Sequence, residues 1–181
     1  MLLAKKLKQE NIAEYLLYMW QIEDLIRAND LNIDRIKSQI VDKYDQTDDV
    51  KKEIEDWYTN LIDMMRMEGK TEKGHLIINE NVIRDLTDLH LQLLQSNKET
   101  EYSSTYYKTL PFIVELRTKY EDKTIPELET CFTALYGFLL MRLEGKTVSG
   151  ETQAAISQIS SLLRILSQRY KADREGTLEL E

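Results

Sequence analysis

Cysteine occurs once in the 181 residues, proline and histidine twice each, and glycine six times. A lone Cys131 excludes an intrachain disulfide and fits a reducing compartment. So few prolines and glycines leave little turn chemistry for a many-stranded fold, and helices are expected instead. His75 and His90 belong to no Glu-x-x-His pair, so neither a metal site of the di-iron bundle type nor any cofactor is expected. Long apolar runs are also missing. The longest, Ala134 to Met141, has eight residues, against about twenty for a bilayer span. The opening Met-Leu-Leu-Ala-Lys-Lys-Leu-Lys puts charges where a secretion signal needs an apolar core. A soluble, cytoplasmic protein without membrane contact is the expectation.

Basic residues are outnumbered, 24 to 32, giving a net charge of −8. A negative field repels phosphate backbones, so no nucleic-acid partner is expected. The only compact basic cluster, Lys5, Lys6 and Lys8, is too short to reverse this. The acidic stretch from Asp42 to Asp63 reads as a solvated helix face.

Against these absences stands one repetition. Met65-Arg-Met-Glu-Gly-Lys-Thr-Glu-Lys-Gly74 recurs 76 positions later as Met141-Arg-Leu-Glu-Gly-Lys-Thr-Val-Ser-Gly150, identical at seven of ten positions. The apolar phase is kept on both sides of the loop. Ile62 falls on Phe138 and Met65 on Met141 before it, and Ile83 falls on Ile159 and Leu86 on Leu162 beyond it. Two related helical hairpins are implied, rather than a solenoid array.

Helical spacing organises the rest. The first helix is expected from Ile12 to Ala28, where Ile12, Tyr15, Leu16, Met19, Ile22 and Ile26 share a face. A short helix follows Asn32, using Ile33, Ile36, Ile40 and Tyr44. A third runs from about Asp48 to Glu68 behind Thr47, with Ile54, Trp57, Leu61, Ile62 and Met65 inward and Gly69 as its stop. A fourth starts near Asn79. Pro111 interrupts the segment from Tyr102 to Tyr120, giving a kinked helix or two short ones. Thr124-Ile-Pro-Glu127 opens the next helix with a capping box, and Gly145 ends it. The last helix follows Ser149 and runs to about Lys171. The expected architecture is all-α: one domain over residues 1–171, a bundle of about seven helices with two related hairpins. A flexible tail, 172–181, completes it.

Gly-Lys-Thr occurring twice raises a phosphate-binding reading. A P-loop needs another glycine five residues before the Gly-Lys pair, between a strand and a helix. Met64 and Leu140 stand there, and helices precede both loops. Helix termination explains both copies, with Arg66 and Arg142 near the negative helix ends. The alternative is that Arg66, Lys70, Thr71, Arg142, Lys146 and Thr147 bind a small anion.

Arg84-Asp-x4-His90 resembles the motif of the helical HEPN ribonucleases, where the arginine and histidine act on the RNA phosphate. In a regular helix these two residues lie about 120° from a common face. The acidic charge also opposes an RNA substrate, so a polar helix flank is the expected role. Cys131 is expected in the core, and no catalytic residue is assigned. Ten tyrosines are expected mainly in the core with their hydroxyls at the rim.

The segment Asn11-Ile-Ala-Glu-Tyr-Leu-Leu-Tyr-Met-Trp-Gln-Ile-Glu-Asp-Leu-Ile-Arg27 resembles the start of a family of bacterial proteins of about this length and of unknown function. The resemblance implies a bacterial cytoplasmic protein and supplies no functional residue. The expected function is non-enzymatic: interaction with a protein partner or with a second copy of itself. The small-anion binder and, further behind, a ribonuclease-like enzyme using Arg84 and His90 are the alternatives.

Overall fold

The protein, described by a computed structural model over residues 2–119 and 125–180, is all-α. Eight α-helices and no strand occur among the described residues: α1 (Leu2–Glu10), α2 (Ile12–Ala28), α3 (Ile33–Gln39), α4 (Asp48–Met67), α5 (Ile77–Gln95), α6 (Thr100–Lys119), α7 (Glu127–Leu143) and α8 (Gly150–Arg174). No helix is long and apolar enough among those residues to cross a membrane. The chain forms two compact units, residues 1–9 with 14–82, and residues 10–13 with 83–181.

In the first unit, α3 packs on α4, and a 3-10 turn at Val41–Lys43 packs on both. Leu16, Met19, Trp20 and Ile26 of α2 are fully buried, as are Ile36, Val41, Ile62, Met65 and Leu76. On α4 the buried stripe is Ile54, Tyr58, Leu61, Ile62 and Met65, the i, i+4, i+7, i+8 and i+11 spacing of a core-facing helix. Tyr58 thus takes the inward place expected for Trp57, which lies on the flank and meets the tyrosine edge-on at 5.1 Å. The expected second helix stops earlier than its apolar spacing suggests. It ends at Gln39, and Val41–Lys43 tightens into the 3-10 turn.

In the second unit, α6, α7 and α8 pack on one another. Ile83, Leu86, Leu89 and Leu93 of α5 are buried, with Tyr102 and Ile113 of α6, Leu128, Cys131 and Phe132 of α7, and Ile159, Leu162 and Leu166 of α8. Pro111 lies inside α6, which continues through it as one helix rather than two. Thr105 and Thr109 on the preceding turns return their hydroxyls to the carbonyls of Glu101 and Thr105, a local bond that tends to bend a helix.

Three further boundaries depart from the sequence reading. A helix precedes Ile12: α1 carries Lys5, Lys6 and Lys8, and the Lys8 ammonium lies 5.4 Å from the Tyr15 ring centre. α5 begins at Ile77, ahead of Asn79. α8 runs past Lys171 to Arg174, and the Thr177 N–H bonds Ala172 O beyond Gly176. Residues 172–174, expected in the flexible tail, are therefore part of a capped helix, and the Leu180 carbonyl accepts the Ser96 hydroxyl at 2.7 Å. The expected capping box at Thr124 lies outside the described residues, and Pro126 stands at the cap position of α7.

The two related segments end α4 and α7 in the same way. The Gly69 N–H bonds Arg66 O and the Lys70 N–H bonds Met65 O; the Gly145 N–H bonds Arg142 O and the Lys146 N–H bonds Met141 O. This pair of bonds is the Schellman closure, with glycine in the left-handed conformation. The two φ angles are +65° and +70°. A Cβ at either glycine would meet nothing within 4 Å, so an alanine there bears backbone strain alone. Gly69→Ala and Gly145→Ala are each expected to destabilise by about 1–2 kcal/mol, measured as a shift of the urea midpoint. A cost confined to one of the two would show that the closures are not equivalent.

Candidate functional site

The two related loops have opposite surroundings, and the contrast begins with a buried acid. Glu23 is completely buried on α2. Its Oε1 accepts the Leu76 N–H at 3.0 Å and the Asn79 side-chain N–H at 2.7 Å, and its Oε2 meets His75 Nδ1 at 2.7 Å. The His75 ring stacks on Trp20, 3.9 Å between centres and 9° between planes. One turn along α2, the Arg27 guanidinium donates to the carbonyls of Lys70 and Gly74. Glu23 and Arg27 thus grip the loop after Gly69 at both ends, the arginine taking carbonyls and the acid taking N–H groups.

Lys70 and Glu68 at the start of the loop also find partners within the unit. Lys70 Nζ lies 2.6 Å from Glu80 Oε1, and its stem fills the space beside Gly74, where a Cβ would come within 3.2 Å of Lys70 Cδ. Glu68 accepts the Ile77 N–H at 2.7 Å. Arg66 donates to Leu31 O at 3.0 Å, beside a hollow of about 300 Å³ that it shares with Asp30, Asp34 and Asp63. Arg66 and Lys70 therefore serve separate partners. The sequence did not mark Trp20, Glu23 or Arg27 as a set. Their i, i+3 and i+7 spacing on α2 was the available signal, but it fitted an apolar stripe equally well.

The second loop stands open. Arg142, Lys146 and Thr147 line one surface hollow of about 560 Å³ with Phe138, Val148, Gln153, Ile156 and Ser157, within the size range of small-ligand sites. The Arg142 guanidinium lies 6.0 Å from the Phe138 ring centre. Lys146 Nζ reaches Glu144 Oε2 at 2.5 Å with both side chains mostly solvated, an ion pair worth little. The Ser149 hydroxyl accepts the Thr152 N–H at 3.1 Å and opens α8, so this helix start needs no acid from a distant helix. Leu143 at the end of α7 is 70% exposed, as its counterpart Met67 at the end of α4 is at 79%.

A second buried polar group surrounds His90. Its Nδ1 lies 2.6 Å from the Tyr102 hydroxyl, and the Tyr106 ring meets it edge-on at 4.9 Å. The Tyr106 hydroxyl donates to Glu127 at 2.8 Å. The expected polar-flank role is therefore incorrect: His90 is a core residue with 4% exposure, while Arg84 on the same helix is solvated. The ribonuclease-like pair is not assembled, for the reason of helical phase given above. Burial holds the His90 imidazole below its usual value, with Glu127 opposing. Burial, then Glu127, pushes the Cys131 thiol up to about 12. A thiol so placed stays protonated and unreactive.

No cluster of three or more His, Cys, Asp or Glu side chains suited to a metal occurs among the described residues. The tyrosines divide between core and rim: Tyr15, Tyr58 and Tyr102 are buried, whereas Tyr107 is 64% exposed.

The chain belongs to the family described as a domain of unknown function (DUF4924). The family model matches residues 1–177, which fits the likeness carried by residues 11–27. No curated protein and no solved structure matches the chain.

Two outcomes test these centres. Glu23→Ala leaves the Leu76 and Asn79 donors unmet inside the first unit, and a loss of about 3 kcal/mol is expected. Urea unfolding measures it; a loss below about 1 kcal/mol would mean that water replaces the carboxylate. For His90, a lowered folded pKa means that the unfolded chain binds the extra proton. The penalty is absent above pH about 6.5 and grows as pH falls from there. Between about pH 7 and 5.5 the wild type should lose more stability than His90→Gln, and parallel pH curves would refute this assignment.

Proposed function

We propose that this DUF4924 protein is a non-enzymatic binding protein that engages its partner through the open end of α7 and α8. One observation carries the reading. Of two ten-residue segments identical at seven positions, the one after α4 is held by Glu23 and Arg27 of its own chain, and the one after α7 is left open beside apolar side chains. A loop needed only as a helix stop would require the glycine and its two N–H bonds, which both copies have. The hollow beside Lys146, walled by Phe138, Val148 and Ile156, goes beyond that requirement, and apolar surface beside polar groups is the usual composition of a recognition site. The unreactive Cys131 and the separation of Arg84 from His90 support a non-catalytic role. The single cysteine fits a cytoplasmic setting.

Leu143→Glu combined with Phe138→Glu alters this surface while leaving the buried core stripes intact. The variant should keep the helical circular-dichroism spectrum and lose the proteins or small molecules that co-purify with the wild type from its native cell. An unchanged set of co-purifying molecules would overturn the assignment of this surface.

A small-anion binder is the second reading, favoured by Arg142, Lys146 and Thr147 sharing one hollow. It differs from the sequence expectation in using the second loop alone, since Lys70 already holds Glu80.

A further inference from the structure

At the offset of 76, the open hollow's lining residues Phe138, Arg142, Lys146, Val148 and Ile156 correspond to Ile62, Arg66, Lys70, Glu72 and Glu80. The cation is retained at Lys70 and Lys146. The acid is not: Glu80, whose carboxylate sits on Lys70 at 2.6 Å, falls on Ile156 at this offset and on Gln153 when counted from the starts of α5 and α8, and both of these non-acidic residues line the hollow. Glu72 falls on Val148. Lys70 is therefore met by a part-buried acid of the following helix, whereas Lys146 meets only the solvated Glu144 of its own loop, and two positions that are acidic in the first segment are apolar in the second.

We infer that the hollow binds a carboxylate attached to an apolar body, with the carboxylate on Lys146 where Glu80 stands on Lys70. The inference rests on the reading that the open end of α7 and α8 is the recognition surface, and it names what is recognised there. Arg142 supplies a second cation at the rim, and Thr147, Gln153 and Ser157 supply hydrogen-bonding groups. Phe138, Val148 and Ile156 provide an apolar wall that inorganic phosphate could not use but an aliphatic or aromatic acid could. Glu144 holds Lys146 only through a solvated pair, so displacing it costs little. The carboxylate belongs either to a free small acid or to the end of a peptide chain.

Hexanoate, acetate, hexanol and inorganic phosphate, titrated into the full chain and followed by amide NMR shifts, test the ligand class. Hexanoate should saturate, moving the amides of Lys146, Thr147 and Val148 and leaving those of Lys70 and Thr71 in place. Acetate and hexanol should bind at least tenfold more weakly, since each lacks one half of the match. A tripeptide ending in leucine, with free and with amidated terminus, separates the two sources. Tighter binding of the free-terminus peptide assigns a peptide carboxylate, and tighter binding of hexanoate assigns a small acid.

The exposed-residue variant Arg142→Gln with Lys146→Gln should fold normally and bind hexanoate at least tenfold more weakly. Ile156→Glu, which restores the acid found at Glu80, should block the site from within. Phosphate binding as tight as hexanoate, or hexanoate binding untouched by the Arg142/Lys146 variant, would overturn the inference. If hexanoate and both peptides fail to bind while Leu143→Glu with Phe138→Glu still loses its co-purifying partner, the carboxylate assignment falls and the recognition surface stands.

Discussion

A carboxylate sealed inside a helical protein must find donors for its lone pairs, because removing a charged group from water costs several kcal/mol. Glu23 meets that requirement with three donors drawn from one short stretch of chain: His75, Leu76 and Asn79. The first unit's loop geometry follows from this constraint. Leu76 stands at the start of α5 with a side chain that cannot cap a helix, and the first backbone N–H groups of a helix have no partner within it. Glu23 supplies the Leu76 N–H with an acceptor and Glu68 does the same for Ile77. Both acids lie where the positive end of the helix dipole favours negative charge. Arg27 completes the arrangement on the carbonyl side of the same loop. Positions 69–76 are thus held from α2, and Lys70 is directed onto Glu80.

This division of labour explains which parts of the fold were legible. Helix ends whose signals are local were read to the residue: Gly69 and Gly145 as stops, Ser149 as a cap. Each depends on a property that the residue itself carries, a tolerated left-handed φ or a hydroxyl two bonds from the backbone. The start of α5 was misplaced because its caps come from residues 53 and 9 positions away. A scan for serine, threonine or asparagine stops at Asn79, whose side chain is in fact spent on Glu23. His90 shows the same limit. Its polar neighbours in sequence suggest an outer flank, but Tyr102 offers a buried partner that only the packing of α5 and α6 in the second unit reveals. The site was half legible for a similar reason. The repeated Gly-Lys-Thr marked both loops, whereas the residues that close one of them, Trp20, Glu23 and Arg27, sit in a helix that reads as ordinary apolar core.

A lysine beside a fixed carboxylate and a lysine beside an isoleucine present different electrostatic problems. In the first loop Lys70 is paired with Glu80, the two side chains 24% and 43% exposed, and a ligand that displaced Glu80 would leave that acid unpaired. In the second loop neutralisation falls to solvent and to Glu144, whose side chain is 57% exposed. Water and a surface ion pair are weak competitors, so an external anion faces a low cost of entry. A ligand with an apolar body also gains the contact area of Ile156 and Val148, at about 25 cal/mol for each Å² removed from water. Apolar residues at positions 148 and 156 therefore act in one direction: neither offers Lys146 a carboxylate, and both add wall area in the same place. A loop kept only to end a helix would be indifferent to both positions. Apolar residues at both positions, beside a lysine and a threonine that the two segments share, are what the proposed recognition site has and the first loop lacks.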